Sequence, residues 1–101
     1  MWTMKVLEEP YKFDWDKGNI DKNWGKHKVS NNEREEVFFD ENKKILKDVL
    51  HSIDEKRYIL LGKTKRDRLL YVVFTIRGEK IRVISARDIN KKERRLYEKT
   101  N

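Results

Sequence analysis

The stretch that decides the fold is Leu69–Arg87, which reads LLYVVFTIRGEKIRVISAR. Its first half, Leu69–Ile76, is rich in β-branched and aromatic residues, which suit a packed, pleated surface. Gly78-Glu79 then fits a two-residue type II′ turn, because the first central residue of that turn needs a positive φ. The return strand is Ile81–Arg87. The stretch therefore predicts an antiparallel hairpin.

The turn also predicts the register of the hairpin, in which Ile76 faces Ile81 and Val72 faces Ser85. Strand side chains alternate between two faces of a sheet. The core face is expected to carry Leu70, Val72, Phe74, Ile76, Ile81 and Val83, with Arg87 at its end. The open face is expected to carry Tyr71, Val73, Thr75, Arg77, Lys80, Arg82, Ile84 and Ala86. A slip of one residue would exchange the faces, so the assignment depends on the turn.

Two helices are predicted before the sheet. The first should run from about Asp16 to Lys26, with an acidic cap near its positive end. Ser30-Asn31-Asn32-Glu33 is a capping box that opens the second helix, which should end near Phe39-Asp40. Trp15 and Trp24 are expected to pack in the core, since indole rings bury large areas.

Two more strands and a last helix complete the predicted fold. Lys44–Leu50 fits a strand or a helix, and we predict a strand because three others follow at short intervals. Lys56–Gly62 predicts the second strand, and Lys63–Arg68 a charged turn. Asn90 with Glu93 repeats the cap-plus-glutamate pattern. We expect an α+β fold with two N-terminal helices, a four-stranded, mainly antiparallel sheet and a C-terminal helix.

The composition limits the class of protein. A length of 101 residues fits one domain, which we place at residues 11–101 after an N-terminal extension of residues 1–10. The chain has no cysteines, which excludes disulfides and thiolate metal sites. It has neither an apolar run of membrane-spanning length nor a secretory signal at its start. We therefore expect a cytoplasmic protein without a membrane partner.

The net charge of +7 is unevenly distributed. Residues 57–101 carry 14 Lys and Arg against 5 Asp and Glu, whereas residues 1–56 carry 11 against 13. The basic half is the one that contains the hairpin and the last helix. Such a charge distribution favours a polyanionic partner. The alternative is an ordinary solvated surface.

Several short motifs follow one another in a fixed order. The most specific are Ile81–Arg87, Glu93-Arg94 and Tyr97. They are preceded by Phe13-Asp14-Trp15-Asp16, Asn23, Lys26-His27, Val29, Val37-Phe38, Asp40, Asp48, His51-Ser52, Glu55-Lys56-Arg57, Gly62, and Thr75 with Arg77-Gly78. The ordered set spans about residues 11–99 and resembles the BrnT toxin family. That family usually has glycine in place of Lys28, where a helix would end in the left-handed conformation.

The resemblance implies a RelE-like fold and a ribonuclease toxin of a type II toxin–antitoxin system, which cleaves RNA and so stops translation. It implies a BrnA-like antitoxin as partner, a dimer of heterodimers, and operator DNA contacted only through the antitoxin. We expect no cofactor and no metal site, because the two histidines are far apart and lack clustered carboxylates. The expected enzyme is a metal-independent endoribonuclease.

Metal-free RNA cleavage uses the 2′-hydroxyl of the substrate as nucleophile, so the protein must transfer protons and stabilise charge on the phosphate. A planar guanidinium suits that charge. The candidate catalytic residues are Arg82, Arg57, His51, Arg77 and Tyr97. Arg82 is the first choice, on the open face of a central strand beside Thr75. The alternatives are structural: arginines paired with carboxylates or solvated, a loop histidine, and a tyrosine packed on the sheet.

The candidate RNA-binding residues are Arg87, Tyr71, Lys80, Lys91 and Arg94. Tyr71 could stack on a splayed base, and Arg87 could instead pair with Glu93. The last helix carries a basic cluster, Lys91, Lys92, Arg94 and Arg95. This cluster could bind phosphate, bind an acidic segment of an antitoxin, or do neither.

Two other functions fit the same charges. One is a non-catalytic nucleic-acid-binding module, and the other is a protein-interaction component with an acidic partner. RNA cleavage by the purified chain separates the enzyme from both.

Overall fold

The computed structural model describes residues 7–21, 24–50 and 54–99. Its elements are α1 (Trp24–His27), α2 (Asn31–Glu36), a 3-10 turn (Val37–Phe39), β1 (Lys44–Lys47), β2 (Tyr58–Lys63), β3 (Leu69–Arg77), β4 (Lys80–Asp88) and α3 (Lys91–Glu98). The strands form one antiparallel sheet in the order β1-β2-β3-β4. The predicted α+β architecture is confirmed, and Lys44–Lys47 is a strand as predicted, although it ends earlier than expected.

One side of the sheet, the core face, packs against α2 and the 3-10 turn. Val37 and Phe38 are fully buried there, and the Phe38 ring packs edge-on against the Phe74 ring with 5.1 Å between the ring centroids. The opposite side, the outer face, carries Ile59, Leu61, Leu69, Tyr71, Val73, Thr75, Arg82 and Arg87. Tyr97 of α3 packs on Leu61 and Leu69 at one end of that face. The remaining part of the outer face carries the predicted cations Arg77, Lys80, Arg82 and Arg87.

The hairpin turns as predicted but contains a bulge. Gly78 has a φ of +62°, and the pairing of Ile76 with Ile81 is confirmed. The register shifts between Val73 and Phe74, so Val72 pairs with Ala86. The predicted pairing of Val72 with Ser85 is therefore wrong, because a bulge inserts one residue that no turn motif reveals.

The bulge exchanges the faces of the residues that follow it. Ala86, predicted for the open face, is 1% exposed and belongs to the core. Arg87, predicted for the core face, lies on the outer face opposite Tyr71. One extra residue is enough to move the side chains that follow it to the opposite face, because strand side chains alternate with a period of two.

The first helix is shorter than predicted and begins at Trp24. Asp16 and Asn19 form a turn instead: Asn19 Oδ1 accepts from the Asp16 N–H at 2.8 Å, and Asn19 Nδ2 donates to the Val83 carbonyl at 3.1 Å. Trp15 packs against the core, as predicted. Trp24 is 52% exposed, so its predicted burial is wrong.

Both predicted capping boxes are present. Ser30 with Glu33 begins α2, and Asn90 with Glu93 begins α3. Between α1 and α2, Lys28 has a φ of +54°. This is the left-handed conformation that the family pattern implies at this position.

Candidate functional site

Arg87 stands near the end of β4 on the outer face, beside α3. Its guanidinium lies over the ring of Tyr71, 3.9 Å from the ring centroid, and donates to both carboxylate oxygens of Glu93 at 2.8 and 2.7 Å. Glu93 is in place because Asn90 caps α3, and its Oε1 also accepts from the Asn90 N–H at 3.0 Å. A strand, a neighbouring strand and a helix thus fix the orientation of one guanidinium. We call Tyr71, Arg87 and Glu93 the Arg87 cluster.

The surroundings shift the pKa values of this cluster. Burial alone would raise the pKa of Glu93, but hydrogen bonds from Arg87 and from the Asn90 backbone outweigh it and hold that pKa below its usual range. Burial raises the pKa of Tyr71; the charge of Arg87 opposes the rise, and the charges of Asp48 and Glu93 add to it. At neutral pH the cluster therefore combines an ionised carboxylate with a protonated phenol.

Arg82 lies opposite Thr75, but its guanidinium turns toward the N-terminal segment. Nη1 and Nη2 donate to Asp16 Oδ2 at 2.9 Å and Oδ1 at 2.8 Å, and Asp14 Oδ2 lies 3.6 Å from Nη1. The Arg82 side chain is only 12% exposed. β4 is the last strand of the sheet rather than a central one, and a parallel bridge from Phe13 to Ile81 covers its edge. The carboxylate-paired alternative for Arg82 is the arrangement present.

Tyr97 is 8% exposed and packs on the outer face. Its hydroxyl donates to Asp40 Oδ2 at 2.6 Å. Burial, and then the hydrogen bond and charge of Asp40, raise the pKa of Tyr97 well above its ordinary value. The contact anchors α3 on the sheet and so supports the position of Glu93, one turn earlier in the same helix.

Four other predicted cations lie at the surface. Arg77 contacts Glu55 at 3.5 Å with its side chain 53% exposed, and Lys80 is exposed beside the hairpin turn. Lys91 and Arg94 are exposed on α3. Arg77 and Lys80 thus lie at the hairpin end of the outer face. Lys91 and Arg94 lie on α3, at the other end, where the Arg87 cluster is also found.

The connection between β1 and β2 contains two further candidates. The carbonyl of Arg57 accepts from the Asp48 N–H at 2.8 Å, which joins the two ends of the connection. Asp48 is 8% exposed, and its bond to Arg57 continues the pairing of Lys47 with Tyr58 at the end of β1. His51 lies outside the described residues.

A family model described as ribonuclease toxin, BrnT, of type II toxin–antitoxin system matches residues 15–93. The chain belongs to this family. The match covers all four strands and reaches Glu93, so the whole Arg87 cluster lies within it. No curated protein sequence matches the chain at a significant level. A toxin of this type of system acts with a protein antitoxin, which is therefore the kind of partner that this BrnT-family chain has.

The structure of this BrnT-family chain also contains contacts that the sequence did not predict. Asp14 or Asp16 was expected to cap the first helix, yet both carboxylates face Arg82, which lies 68 and 66 positions further along the chain. Opposite charge was the only signal, and it does not single out one pair among many charged residues. Arg68, assigned to a charged turn, donates to Asp88 and to Glu33. These contacts join the sheet to α2.

Among residues 7–21, 24–50 and 54–99, no group of three His, Cys, Asp or Glu side chains is arranged to hold a metal ion. Within the same ranges, no helix is both long enough and apolar enough to cross a bilayer.

Proposed function

We propose that the chain cleaves RNA endonucleolytically without a metal ion, with the scissile phosphate beside Arg87. The observation that carries the proposal is the guanidinium of Arg87, held between Tyr71 and Glu93 on a basic sheet face. A donor oriented before the substrate arrives stabilises charge in the transition state without reorganisation. Membership of a ribonuclease toxin family supports the class of reaction.

In the proposed reaction, the 2′-oxygen attacks phosphorus and the bond from phosphorus to the 5′-oxygen breaks. The products are a 2′,3′-cyclic phosphate and a 5′-hydroxyl. Tyr71, protonated at neutral pH, gives a proton to the departing 5′-oxygen. The low pKa of Glu93 makes it a weak base, so its role is to orient Arg87. We assign the proton of the 2′-hydroxyl to His51, because the ordinary imidazole pKa of about 6.5 suits this transfer.

The other predicted residues are proposed to bind and to position the substrate. The cations that contact further phosphates are Arg57, Arg77, Lys80, Arg82, Lys91 and Arg94. The guanidinium of Arg87 covers one side of the Tyr71 ring. A splayed base would therefore stack on the guanidinium plane rather than on that ring face. Tyr97 acts as a positioning residue that holds α3 through Asp40.

We further propose a BrnA-like antitoxin that covers the outer face, binds operator DNA itself, and forms a dimer of heterodimers with the toxin. Cleavage in the cytoplasm would then inhibit translation whenever the antitoxin is lost. The cations of residues 57–101 favour an acidic segment of the antitoxin on this face.

The test is to incubate the purified chain with a single-stranded RNA, with and without EDTA, and to identify the ends of the products. We expect cleavage that EDTA does not reduce, with cyclic phosphate and 5′-hydroxyl ends. Salt-dependent binding without cleavage would instead support the nucleic-acid-binding module. An absence of binding would support the protein-interaction component.

A further inference from the structure

Three N–H groups converge on the carboxylate of Asp16. Its Oδ1 accepts from the Gly18 backbone at 2.7 Å and from Arg82 Nη2 at 2.8 Å, and its Oδ2 accepts from Arg82 Nη1 at 2.9 Å. The Asp16 side chain is nevertheless 57% exposed. A guanidinium fork binds two oxygens of a phosphate in the same way as two oxygens of a carboxylate. The donors around Asp16 therefore form an anion site that opens to solvent.

Gly18 leaves this site room that a larger residue would fill. A Cβ at Gly18 would lie 2.8 Å from Arg82 Nη2 and 3.1 Å from Asp16 Oδ1. The backbone N–H of Gly18 can thus approach an anion that is bound to Arg82.

Asp16 can leave the site by rotation of its side chain alone. Its backbone is held separately, because the Asp16 N–H donates to Asn19 Oδ1 at 2.8 Å and its carbonyl accepts from the Asn19 and Ile20 N–H groups at 3.1 and 2.8 Å. Asp14, 3.6 Å from Arg82 Nη1, remains beside the guanidinium. The hydrogen bond from Arg82 is the largest cause that lowers the pKa of Asp16, and the charge of Arg77 makes a smaller contribution in the same direction.

We propose that Asp16 occupies a phosphate-binding site formed by Arg82 and the Gly18 N–H, and that a phosphate of the RNA backbone displaces it. This inference rests on the proposed function for the identity of the anion. Displacement of Asp16 would free Arg82 to bind RNA even though the two residues are paired in the absence of RNA. This phosphate site is distinct from the Arg87 cluster. Asp16 is then a competitor built into the chain, which lowers its affinity for RNA.

The first test titrates inorganic phosphate into the nitrogen-labelled full chain and follows the Gly18 amide and the Arg82 side-chain N–H signals by NMR. We expect saturable shifts in Asp16→Asn at phosphate concentrations well below those that wild type requires. The double variant Asp16→Asn/Arg82→Gln should show none. Asp67→Asn, the same change of charge in an exposed turn, should behave as wild type. A lack of saturable shifts in folded Asp16→Asn would overturn the proposed site.

The second test measures RNA binding at several salt concentrations. We expect Asp16→Asn to bind RNA several-fold tighter than wild type with the same salt slope, because a phosphate contacts Arg82 in both proteins once Asp16 is displaced. Unchanged or weaker RNA binding by Asp16→Asn that still binds phosphate would overturn the assignment of the anion to RNA. If wild type neither binds nor cleaves RNA, the proposed function fails, while the phosphate titration still decides the anion site.

Discussion

The Arg87 guanidinium lies over the Tyr71 ring at 3.9 Å because a bulge in β4 inserts one residue ahead of Arg87. Without that residue, Arg87 would point into the core face. The same bulge brings Ala86 into the core, where it is 1% exposed. The arrangement of the proposed active site and the packing of the core therefore depend on a single irregularity of the sheet.

Replacing Arg87 by lysine tests whether cleavage needs the planar guanidinium rather than a positive charge alone. Arg87→Lys keeps one positive charge but loses the paired bonds to Glu93 and the planar stack on Tyr71. We expect the single-turnover rate of RNA cleavage to fall by about 10²-fold or more, as for the loss of one oriented donor. Arg66→Lys, in an exposed turn, is the matched control and should cleave at the wild-type rate. A wild-type rate for Arg87→Lys would remove Arg87 from the mechanism.

Gly62 tests how closely the 3-10 turn packs on β2. A Cβ at Gly62 would lie 2.8 Å from the Val37 carbonyl oxygen and 2.8 Å from Leu60 Cδ2. Because backbone cannot yield as a flexible side chain does, we expect Gly62→Ala to lower the free energy of unfolding by about 1–3 kcal/mol. Denaturant titration measures this.

Gly25→Ala is the control for Gly62→Ala, since its Cβ would have nothing within 4 Å. Gly25 lies in α1, where alanine is the better helix former, so stability should stay equal or rise by up to about 1 kcal/mol. Equal losses in both variants would contradict the packing argument.

Local signals in the sequence predicted the elements well. The capping boxes at Ser30 and Asn90, the turn at Gly78 and the β-branched runs each contain the information within a few residues. The first helix was predicted too long because the side chain of Asn19 bonds the turn to Val83 of β4, a tertiary contact that overrides local propensity.

The candidate site was harder to predict, for two physical reasons. The bulge changes which face Arg87 occupies, and nothing in the alternation of residues marks it. The partners of charged side chains are set by the tertiary fold, as Arg82 with Asp16 shows. Sequence reasoning could name the arginines and the pairing of Arg87 with Glu93 as alternatives, but only the geometry distinguishes between them.

Lys28 tests the cost of a left-handed backbone. Its φ of +54° places Cβ in an unfavourable conformation, which glycine avoids. Relief of about 1–2 kcal/mol of left-handed strain is partly offset by the greater freedom of glycine in the unfolded chain, about 0.5–1 kcal/mol. We therefore expect Lys28→Gly to raise the free energy of unfolding by about 0.5–1 kcal/mol, as measured by denaturant titration. Lys28→Ala removes the cation but keeps the Cβ, so it should give no such gain. A gain in Lys28→Ala alone would assign the effect to the side chain instead.

Arg68 tests how the sheet is joined to the helices that cover it. Its guanidinium donates to Asp88 at 2.7 and 3.1 Å, to Glu33 at 3.2 Å, and to the carbonyls of Lys28 and His27 at 2.8 and 2.9 Å. Its side chain is 26% exposed, so part of this network is shielded from water. We expect Arg68→Met to lower the free energy of unfolding by about 2 kcal/mol at neutral pH.

The pH dependence of the stability lost in Arg68→Met shows whether the ion pair with Asp88 contributes to it. The hydrogen bond from Arg68 holds the pKa of Asp88 below its ordinary 3.8, so the contribution of Asp88 is complete above that value and is lost as the pH falls through the lower, folded-state pKa. The bonds from Arg68 to the two carbonyls do not titrate. The difference between wild type and Arg68→Met should therefore narrow as the pH is lowered below 3.8, without vanishing. Arg66→Met is the control at each pH, and a difference that stays constant would exclude Asp88 as a source of the stabilisation.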